Sequence, residues 1–375
     1  MSAAMRTPAA AAQARQLGLS LVEIMVAVAI GMIGILIITQ AYITSDNFNR
    51  ATLGEGGAQT NGLIALFTVE RDARQAGFGI ASSAALGCGQ IYWYYNPKYS
   101  SNVAGHEADG LPTLTLAPVL ITMSTTSAVV TEPAKVTVMY ATSAERMMPT
   151  EISTFNAAAA QIAVDGAAGF KSGHTVLLVG STGCTLRTLS TDPASTTLTF
   201  GSGALTPMNP AAWGAFPTTY ALGDAVLNLG SPVVREYSIT SGKLRLTDLI
   251  AQAAGTAGQD LVDGIVDLRA QYGHDSNSDG KVDTWNSITP ATSADWGKVL
   301  AFRMAVLARI GNFEKPSVSG GDCDATSAAP TWSGSAIDGG AFAKLSFAAL
   351  SQDRCYRYRV FETTVPLRNM IWRSI

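Results

Sequence analysis

Two hydrophobic patterns divide the chain at about residue 80. Residues Leu19–Ile38 are almost entirely apolar, and a helix of this length crosses the hydrocarbon core of a membrane. Arg6 and Arg15 precede the stretch, so the first residues are expected on the cytoplasmic side and the rest of the chain outside. The exception within the stretch is Glu23, because a carboxylate is costly in lipid.

The helical pattern continues beyond this apolar stretch. Apolar residues recur at helical spacing at Leu63, Leu66, Phe67, Ala73 and Ala76. Glycines at 54, 56 and 57 predict a bend or a weak point, because glycine is a poor helix former. The charged run from Glu70 to Arg74 indicates a solvated helix face, and Gly77 and Gly79 predict the end of the helix.

After residue 80 the pattern is typical of strands, since short apolar or alternating runs are separated by turn-forming residues. The predicted strands are Leu114–Met123, Lys135–Tyr140, Thr175–Val179, Thr196–Phe200, Val233–Ile239, Lys243–Thr247, Val299–Ile310 and Tyr356–Leu367. Residues 266–272 alternate between apolar and polar side chains and predict a half-buried strand. The order predicts an α+β fold: a long N-terminal transmembrane helix packed on a C-terminal antiparallel β-sheet domain, with a large β-rich insertion at residues 81–230.

Composition and cysteine usage agree with an exported protein. Charged residues make up 14% of the 375 residues, and the net charge is −3. No basic cluster is present, which argues against a nucleic-acid partner. Four cysteines in an exported chain predict two disulfides with three possible connectivities. The Gly- and Ser-rich loop between Cys323 and Cys355 favours that pair, which leaves Cys88 with Cys184.

The residues before Glu23 indicate a role for its charge. Gly18-Leu19-Ser20-Leu21-Val22-Glu23 resembles the type III signal sequence of type IV prepilins and type II secretion pseudopilins. The resemblance implies that a prepilin peptidase cleaves between Gly18 and Leu19 and methylates the new amine of Leu19, although Leu19 departs from the usual Phe or Met. It also implies that Glu23 pairs with the N-terminal amine of a neighbouring subunit during assembly, since either charge alone is costly in an apolar setting.

This resemblance divides the chain into three parts. Residues 1–18 are expected to be a leader peptide, and residues 19–79 the hydrophobic helix with its periplasmic extension. Residues 80–375 are expected to form a globular β-rich domain. The chain would first lie in the inner membrane, with this domain in the periplasm, and then in a fibre at the cell surface.

Later segments resemble the PilW family of minor pilins. The similarity is carried by Glu70–Phe78, by Tyr272-Gly273 before an Asp-rich loop, by the strand with Arg303 and by Arg359–Asn369. It implies a non-catalytic subunit that helps to initiate assembly of the type IV pilus, lies at or near its tip, and serves adhesion and twitching motility. The implied partners are other minor pilins, the major pilins, the prepilin peptidase, the inner membrane and its pilus assembly platform.

Residues 275–283 match the opening of an EF-hand calcium loop, D-x-[DN]-x-[DN]-G. The predicted ligands are Asp275, Asn277, Asp279, the backbone carbonyl of Lys281, and Asp283 directly or through water. A bidentate Glu is missing at the twelfth position, which is Asn286, so the expected Ca²⁺ affinity is low and its role structural. The alternative is an Asx-rich turn whose side chains cap their own backbone.

Nothing in the sequence indicates catalysis. His106, His174 and His274 have no zinc-like spacing, and no serine-hydrolase, Walker or dinucleotide motif is present. Two other functions stay open. One is a minor pseudopilin of type II secretion, which gene neighbours would distinguish. The other is an adhesin displayed on the pilus, with residues 81–230 as the binding part.

Overall fold

The computed structural model describes most of the chain from residue 20 onward. The described residues are 20–82, 86, 88, 90–100, 103, 105, 109–123, 125–126, 129–130, 132–143, 145–146, 148–211, 218–314, 316, 321–337, 340–342, 345 and 351–372.

One long helix precedes a series of strands. The helices are α1 (Leu21–Ala73), α2 (Leu249–Ala253), α3 (Ser293–Gly297) and α4 (Arg368–Ile371). The strands are β1 (Ile91–Tyr92), β2 (Tyr94–Tyr95), β3 (Lys98–Tyr99), β4 (Val119–Thr122), β5 (Thr125–Thr126), β6 (Val129–Val130), β7 (Lys135–Tyr140), β8 (Thr150–Asn156), β9 (Gln161–Val164), β10 (Thr175–Gly180), β11 (Gly183–Thr188), β12 (Thr197–Thr199), β13 (Ala225–Gly230), β14 (Val233–Thr240), β15 (Lys243–Asp248), β16 (Gln259–Asp263), β17 (Ile265–His274), β18 (Thr284–Asn286), β19 (Val299–Arg309) and β20 (Tyr358–Pro366). The predicted α+β class is confirmed.

Three sheets carry most of the strands. The seven-stranded sheet has the order β1-β11-β10-β13-β8-β9-β12, and its neighbours are antiparallel except for the parallel pair β1–β11. An antiparallel five-stranded sheet has the order β16-β15-β14-β7-β4, and an antiparallel four-stranded sheet has the order β18-β17-β19-β20. Two short ribbons pair β2 with β3 and β5 with β6.

The seven-stranded sheet is an excursion from a β-hairpin. Strands β7 and β14 are antiparallel neighbours, and Tyr140 pairs with Val233. Between them the chain builds most of the seven-stranded sheet. Thr142 closes the base of the excursion, because its hydroxyl donates to the Ser231 carbonyl (3.0 Å) and accepts from the Ser231 amide (2.9 Å). This excursion leaves and re-enters the five-stranded sheet at adjacent strand ends. It accounts for only part of the β-rich insertion predicted at residues 81–230, because β4 and β7 belong to the five-stranded sheet itself.

The chain divides into two compact units, Met1–Leu53 and Gly54–Ile375. Within the second unit, α1 packs on the sheets with a stripe of mostly small side chains at alternating spacings of four and three residues. The buried members of this stripe on α1 are Ala58, Gly62, Ala65, Val69 and Asp72, and Ala76 continues the same spacing in the turn after the helix. Of the apolar residues that recur at helical spacing, Leu66 and Ala73 are also buried, whereas Leu63 and Phe67 are 50% and 65% exposed.

Gly62 shows why the side chains of this stripe are small. A Cβ at this position would lie 2.2 Å from Cε2 of Phe361 in β20, far inside normal contact. The helix can come this close to Phe361 because position 62 lacks a side chain. Helix α1 continues through the glycines at 54, 56 and 57, and the bend or weak point expected there stays a prediction. Packing of Gly54 against Ile310 illustrates how tertiary contacts outweigh a low helix propensity.

Strand β17 is buried on both faces, not on one as predicted. Its polar residues Asp267, Arg269 and Gln271 are all 0% exposed. Residues that follow β19 cover this second face, where Trp332 and Phe342 join a buried cluster with side chains of β17 and β19. The predicted alternation of apolar and polar residues along β17 was therefore correct, but the face with the polar residues is not exposed to solvent.

Polar contacts link the second face of the four-stranded sheet. Arg269 Nη2 donates to Asp267 Oδ2 (3.0 Å). Gln271 Oε1 accepts from Arg303 Nε (2.8 Å) and Nη2 (2.6 Å), and its Nε2 donates to the Gly334 carbonyl (3.1 Å). The Arg303 guanidinium lies over the ring of Trp285, 4.4 Å from its centroid, and burial lowers its pKa.

Substitution of Gly62 tests the close approach of α1 to β20. Gly62→Ala should lower the free energy of unfolding by about 1–3 kcal/mol, because the new methyl group displaces the Phe361 ring. Gly56→Ala is the matched control, since a Cβ there meets nothing within 4 Å; it should stabilise the helix by up to about 1 kcal/mol. Denaturant unfolding of both variants measures the difference, and equal effects would contradict the close-packing argument.

Candidate functional site

The N-terminal end of α1 contains the charge that the sequence singled out. Gly18 and Leu19, the predicted cleavage and methylation site, lie outside the described residues. The first described residue, Ser20, caps the helix: its Oγ accepts from the Glu23 amide (3.2 Å), and its carbonyl accepts from the same amide (3.1 Å). Glu23 therefore lies in the first turn, where the helix dipole stabilises a carboxylate.

This cap has a sequence signal that was overlooked. Ser20-x-x-Glu23 fits the S-x-x-E capping box that marks helix N-termini. The capping contacts shown are made by the Glu23 amide, while its carboxylate lies in the first turn of the helix. The assembly role of that carboxylate stays a prediction.

The first half of α1 has the properties of a membrane span. Residues Leu21–Asp46 form a stretch of 26 residues whose most apolar part has a mean hydropathy of 2.8 and is wholly exposed. The hydroxyls of Thr39 and Thr44 donate to the carbonyls of Ile35 and Gln40, so these polar groups are paired within the helix. An apolar surface of this length needs cover from lipid or from other apolar helices.

At the other end of α1, a buried carboxylate connects the helix to the five-stranded sheet. Asp72 is 1% exposed, and its Oδ2 accepts from Arg235 Nη1 (2.8 Å) and from the Tyr237 hydroxyl (2.7 Å), both on β14. Burial, followed by the bond to Asp72, raises the pKa of Tyr237, so the phenol remains a donor. The bond to Asp72 also raises the pKa of Arg235.

Side chains of strand β20 and helix α4 also contact α1 and the turn that follows it. Arg359 Nη1 pairs with Glu55 Oε1 (2.9 Å), and the Thr363 hydroxyl lies 3.4 Å from Glu70 Oε2. The Asn369 amide donates to the carbonyls of Gln75 (3.2 Å) and Ala76 (3.0 Å). Those carbonyls lie in the turn that follows α1, and a side chain from the C-terminal segment satisfies them.

The sequence reading missed Asp72 because it assigned the whole charged run to solvent. Glu70 and Arg74 do form an exposed pair one turn apart, as predicted. Asp72, in contrast, continues the buried stripe three residues after Val69 and four before Ala76. The four-and-three spacing of that stripe is the signal that would have identified it.

In the loop after β17, the predicted calcium ligands bind their own backbone. Asp275 is 6% exposed, and its two carboxylate oxygens accept from the amides of Asp279 (3.1 Å) and Gly280 (2.8 Å). Asn277 Oδ1 also accepts from the Asp279 amide (3.0 Å). Asp279 Oδ1 accepts from the Lys281 amide (2.9 Å). This arrangement is the Asx-rich turn that the sequence left open as the alternative.

The remaining loop residues follow the same arrangement. Asp283 Oδ2 accepts from the Ser276 hydroxyl (2.8 Å) and amide (2.9 Å), which lowers the pKa of Asp283. Asn286 accepts from the Ile288 amide and lies 3.3 Å from His274, whose pKa is lowered by burial. Within the described part of the chain, no group of three or more His, Cys, Asp or Glu side chains is arranged to hold a metal ion. The calcium site stays a prediction.

Two disulfide bonds join Cys88 to Cys184 and Cys323 to Cys355. These are the two pairs that the sequence reading favoured. The first connects the segment before β1 to β11. The second closes a loop that ends just before β20, with a sequence separation of 32 residues.

Two family models match parts of the chain, one near its N-terminus and one in its C-terminal third. Residues 13–39 match the prokaryotic N-terminal methylation motif, and residues 233–369 match the family described as Type IV Pilus-assembly protein W. Neither match covers residues 40–232. None of the curated proteins compared with the chain matches it.

A solved structure similar to the chain is the type IV-like pilin TTHA1219 from Thermus thermophilus. It is 15% identical in sequence, covers 53% of this chain and 86% of its own, and has a TM-score of 0.21. The two family matches, which agree with the resemblance drawn from the sequence, indicate a pilin-like protein with a prepilin-type N-terminus. The match to the pilus-assembly family begins at β14 and ends at Asn369, so it includes Arg235, Tyr237 and Asn369, which contact the end of α1.

Removal of the buried carboxylate tests the connection between α1 and β14. Asp72→Ala leaves the buried Tyr237 hydroxyl without its acceptor, and the free energy of unfolding should fall by about 1–3 kcal/mol. Glu55→Ala breaks the half-exposed pair with Arg359 and should cost less than about 1 kcal/mol. Denaturant unfolding of the full-length protein in detergent compares the two. A smaller effect for Asp72→Ala than for Glu55→Ala would contradict the assignment.

Proposed function

We propose that the protein is a minor pilin of the type IV pilus. One observation carries the proposal: α1 exposes large apolar side chains along its length. In the first unit these side chains form the apolar stretch Leu21–Asp46. In the second unit Leu63, Ile64 and Phe67 are 50%, 48% and 65% exposed on a helix whose opposite face is buried in its own domain. Such a surface outside lipid favours contact with other apolar helices.

The proposed pathway follows from the methylation motif at residues 13–39. A prepilin peptidase cleaves after Gly18 and methylates the amine of Leu19 while the helix is anchored in the inner membrane, with the β-rich domain in the periplasm. Glu23 then meets the N-terminal amine of a neighbouring subunit, because either charge left unpaired in an apolar setting is costly and the pair therefore selects one register. Through the assembly platform the subunit joins other minor pilins, initiates the fibre and lies at or near its tip.

The role in assembly predicts a specific effect of Glu23. In a deletion strain, the wild-type gene and Glu151→Ala should restore surface pili, because Glu151 is an exposed residue of β8. Glu23→Ala should restore few or none, although the variant still enters the membrane. The mature wild-type chain should begin at Leu19 and carry one additional methyl group, as measured by intact-protein mass spectrometry.

Two results would overturn this proposal. One is full piliation by Glu23→Ala, and the other is a mature chain that retains Gly18. If the deletion instead blocks secretion of extracellular proteins and leaves pili intact, the protein is a minor pseudopilin of type II secretion.

We also propose that the loop 275–283 binds Ca²⁺ as a structural ion. The support is that Asp275, Asn277, Asp279 and Asp283 all present oxygens within one loop that is already closed by hydrogen bonds to its own amides. A loop ordered beforehand loses little conformational entropy when it binds an ion. The backbone carbonyl of Lys281 would complete the set.

Calorimetric titration of the full-length protein in detergent tests the calcium proposal. CaCl₂ should bind with a Kd of about 10⁻⁴–10⁻³ M, the range of extracellular modules, and Asp275→Asn should weaken binding at least about tenfold. Asp263→Asn is the control, since Asp263 pairs with Lys243 outside the loop. No binding by the wild type would leave an Asx-rich turn that needs no ion.

A further inference from the structure

A cavity of about 450 Å³ lies where the turn after α1 meets the end of β7 and helix α4. Its walls include Arg74, Gln75 and Phe78 from the turn, Tyr140 from β7, and Asn369 from α4. Ligand sites in proteins have volumes of about 300–1,000 Å³. The cavity therefore has room for a large side chain together with the peptide groups beside it.

The Tyr140 hydroxyl is a buried donor beside this cavity. Tyr140 is 7% exposed, and its hydroxyl makes no hydrogen bond to any residue that the structure describes. The nearby Tyr237 hydroxyl, in contrast, donates to Asp72 (2.7 Å). Burial, followed by the charge of Asp72, raises the pKa of Tyr140, so the phenol stays protonated at neutral pH. A buried hydroxyl without an acceptor is costly, and an acceptor that enters the cavity would remove this cost.

The charges around the cavity are balanced. Two acids and two bases act on the Tyr140 hydroxyl: Asp72, Asp248, Arg71 and Arg235. In the cavity wall, Arg74 is paired with Glu70 one turn earlier, and its Nε donates to Glu70 Oε1 (3.1 Å). Because these charges offset one another, the cavity favours neither an anion nor a cation. The acceptor that suits Tyr140 is then a neutral one, and a peptide carbonyl is the neutral acceptor that every protein segment carries.

An exposed tryptophan lies next to the cavity. Asn369 and Trp372 are three residues apart at the end of α4, so they lie on the same face of this helix. Trp372 is 77% exposed, and the neighbouring Ile371 is 44% exposed. Trp, Tyr and Arg are enriched among the residues that carry the binding energy of protein interfaces, and all three types meet here. A small free molecule in the cavity would leave the Trp372 ring in water, whereas a longer protein segment would cover it.

We infer that this cavity binds a segment of another protein chain through a large, uncharged apolar side chain flanked by peptide groups. The side chain packs between the rings of Phe78 and Tyr140, and one peptide carbonyl accepts from the Tyr140 hydroxyl. The Gln75 amide donates to and accepts from the same peptide, and Trp372 covers the segment from outside. The site uses no residue of the assembly contact at Glu23, so this inference does not rest on the proposed function.

Fluorine NMR of the full-length protein in detergent micelles, labelled with 5-fluorotryptophan, tests the inference. The variant W372F assigns the Trp372 resonance. The probe peptide acetyl-Gly-Phe-Gly-amide should shift this resonance saturably, with a Kd of about 1–10 mM, and should leave those of the buried Trp93 and Trp296 in place. Acetyl-Gly-Ala-Gly-amide should bind at least about tenfold more weakly, because its methyl group leaves most of the cavity unfilled.

Tyr140→Phe tests the hydrogen bond to the peptide carbonyl. It should weaken binding of the Phe peptide about fivefold, because the ring stays and the donor is lost. Its thermal unfolding should match that of the wild type, because the hydroxyl has no hydrogen-bond partner among the described residues. Tyr94→Phe is the matched control, since the Tyr94 hydroxyl donates to Asn96 Oδ1 (3.0 Å) in the ribbon of β2 and β3; this variant should bind like the wild type.

Three results would overturn the inference. The first is no saturable shift of the Trp372 resonance with the Phe peptide at about 20 mM, which would mean that the cavity holds water alone. The second is equal binding of the Phe peptide by Tyr140→Phe and Tyr94→Phe. The third is a preference of tenfold or more, lost in about 0.5 M NaCl, for acetyl-Gly-Phe-Asp-amide over the neutral Phe peptide, since this would identify an anion site.

Discussion

At Gly62 the ring of Phe361 occupies the space in which a side chain of α1 would otherwise lie. This contact brings β20 against the helix, so that Arg359 reaches Glu55 and Thr363 reaches Glu70. Ten or more residues further along α1, Asp72 meets β14 and the Asn369 amide satisfies the last carbonyls. The helix is therefore held by side chains from strands that are far apart in the sequence. The close approach at Gly62 is the contact at which β20 lies nearest to the helix backbone, between the pairs that Arg359 and Thr363 make with α1.

The second face of the four-stranded sheet shows how much burial depends on distant residues. Asp267 and Arg269 form an ion pair that is 0% exposed, and two nitrogens of Arg269, Nε and Nη1, have no hydrogen-bond partner in the described part of the chain. Burying such groups costs free energy unless they are paired. The apolar contacts of Trp332 and Phe342 offset part of this cost. The stability of this polar face therefore depends on the segment with Trp332 and Phe342 as much as on the four-stranded sheet.

Local patterns predicted the elements of the fold but not its layers. Lys135–Tyr140 was predicted with the bounds of β7, and the predicted strands Val233–Ile239 and Lys243–Thr247 correspond to β14 and β15. Between them Ser241 and Gly242 both adopt positive φ, as a two-residue type I′ hairpin turn requires. Strands β8, β9, β11 and β13 were not predicted. Small and polar residues such as those of Gly183–Thr188 weaken the hydrophobic pattern.

Tertiary packing determined what the sequence could not predict. The burial of Asp72 and the cover over Asp267 depend on segments far away in the sequence. The exposure of Leu63 and Phe67 depends on which face of the helix packs on the domain. For the candidate site, the family motif identified Glu23 and its predicted processing, while the Ser20 cap required the structure. The loop 275–283 was located from its spacing alone, yet its side chains bind amides of the loop itself.

The pairing of Tyr140 with Val233 also has a consequence for how such a protein can change over evolution. Since the excursion starts and ends at adjacent positions, its ends stay together whatever its length, and the entropy of closing a loop rises slowly with the number of residues. Residues can be added or removed there without moving β14, which contacts Asp72. The family match begins at the far side of this junction. The structure thus permits the excursion to diverge in size and sequence while the segment that contacts the helix stays recognisable.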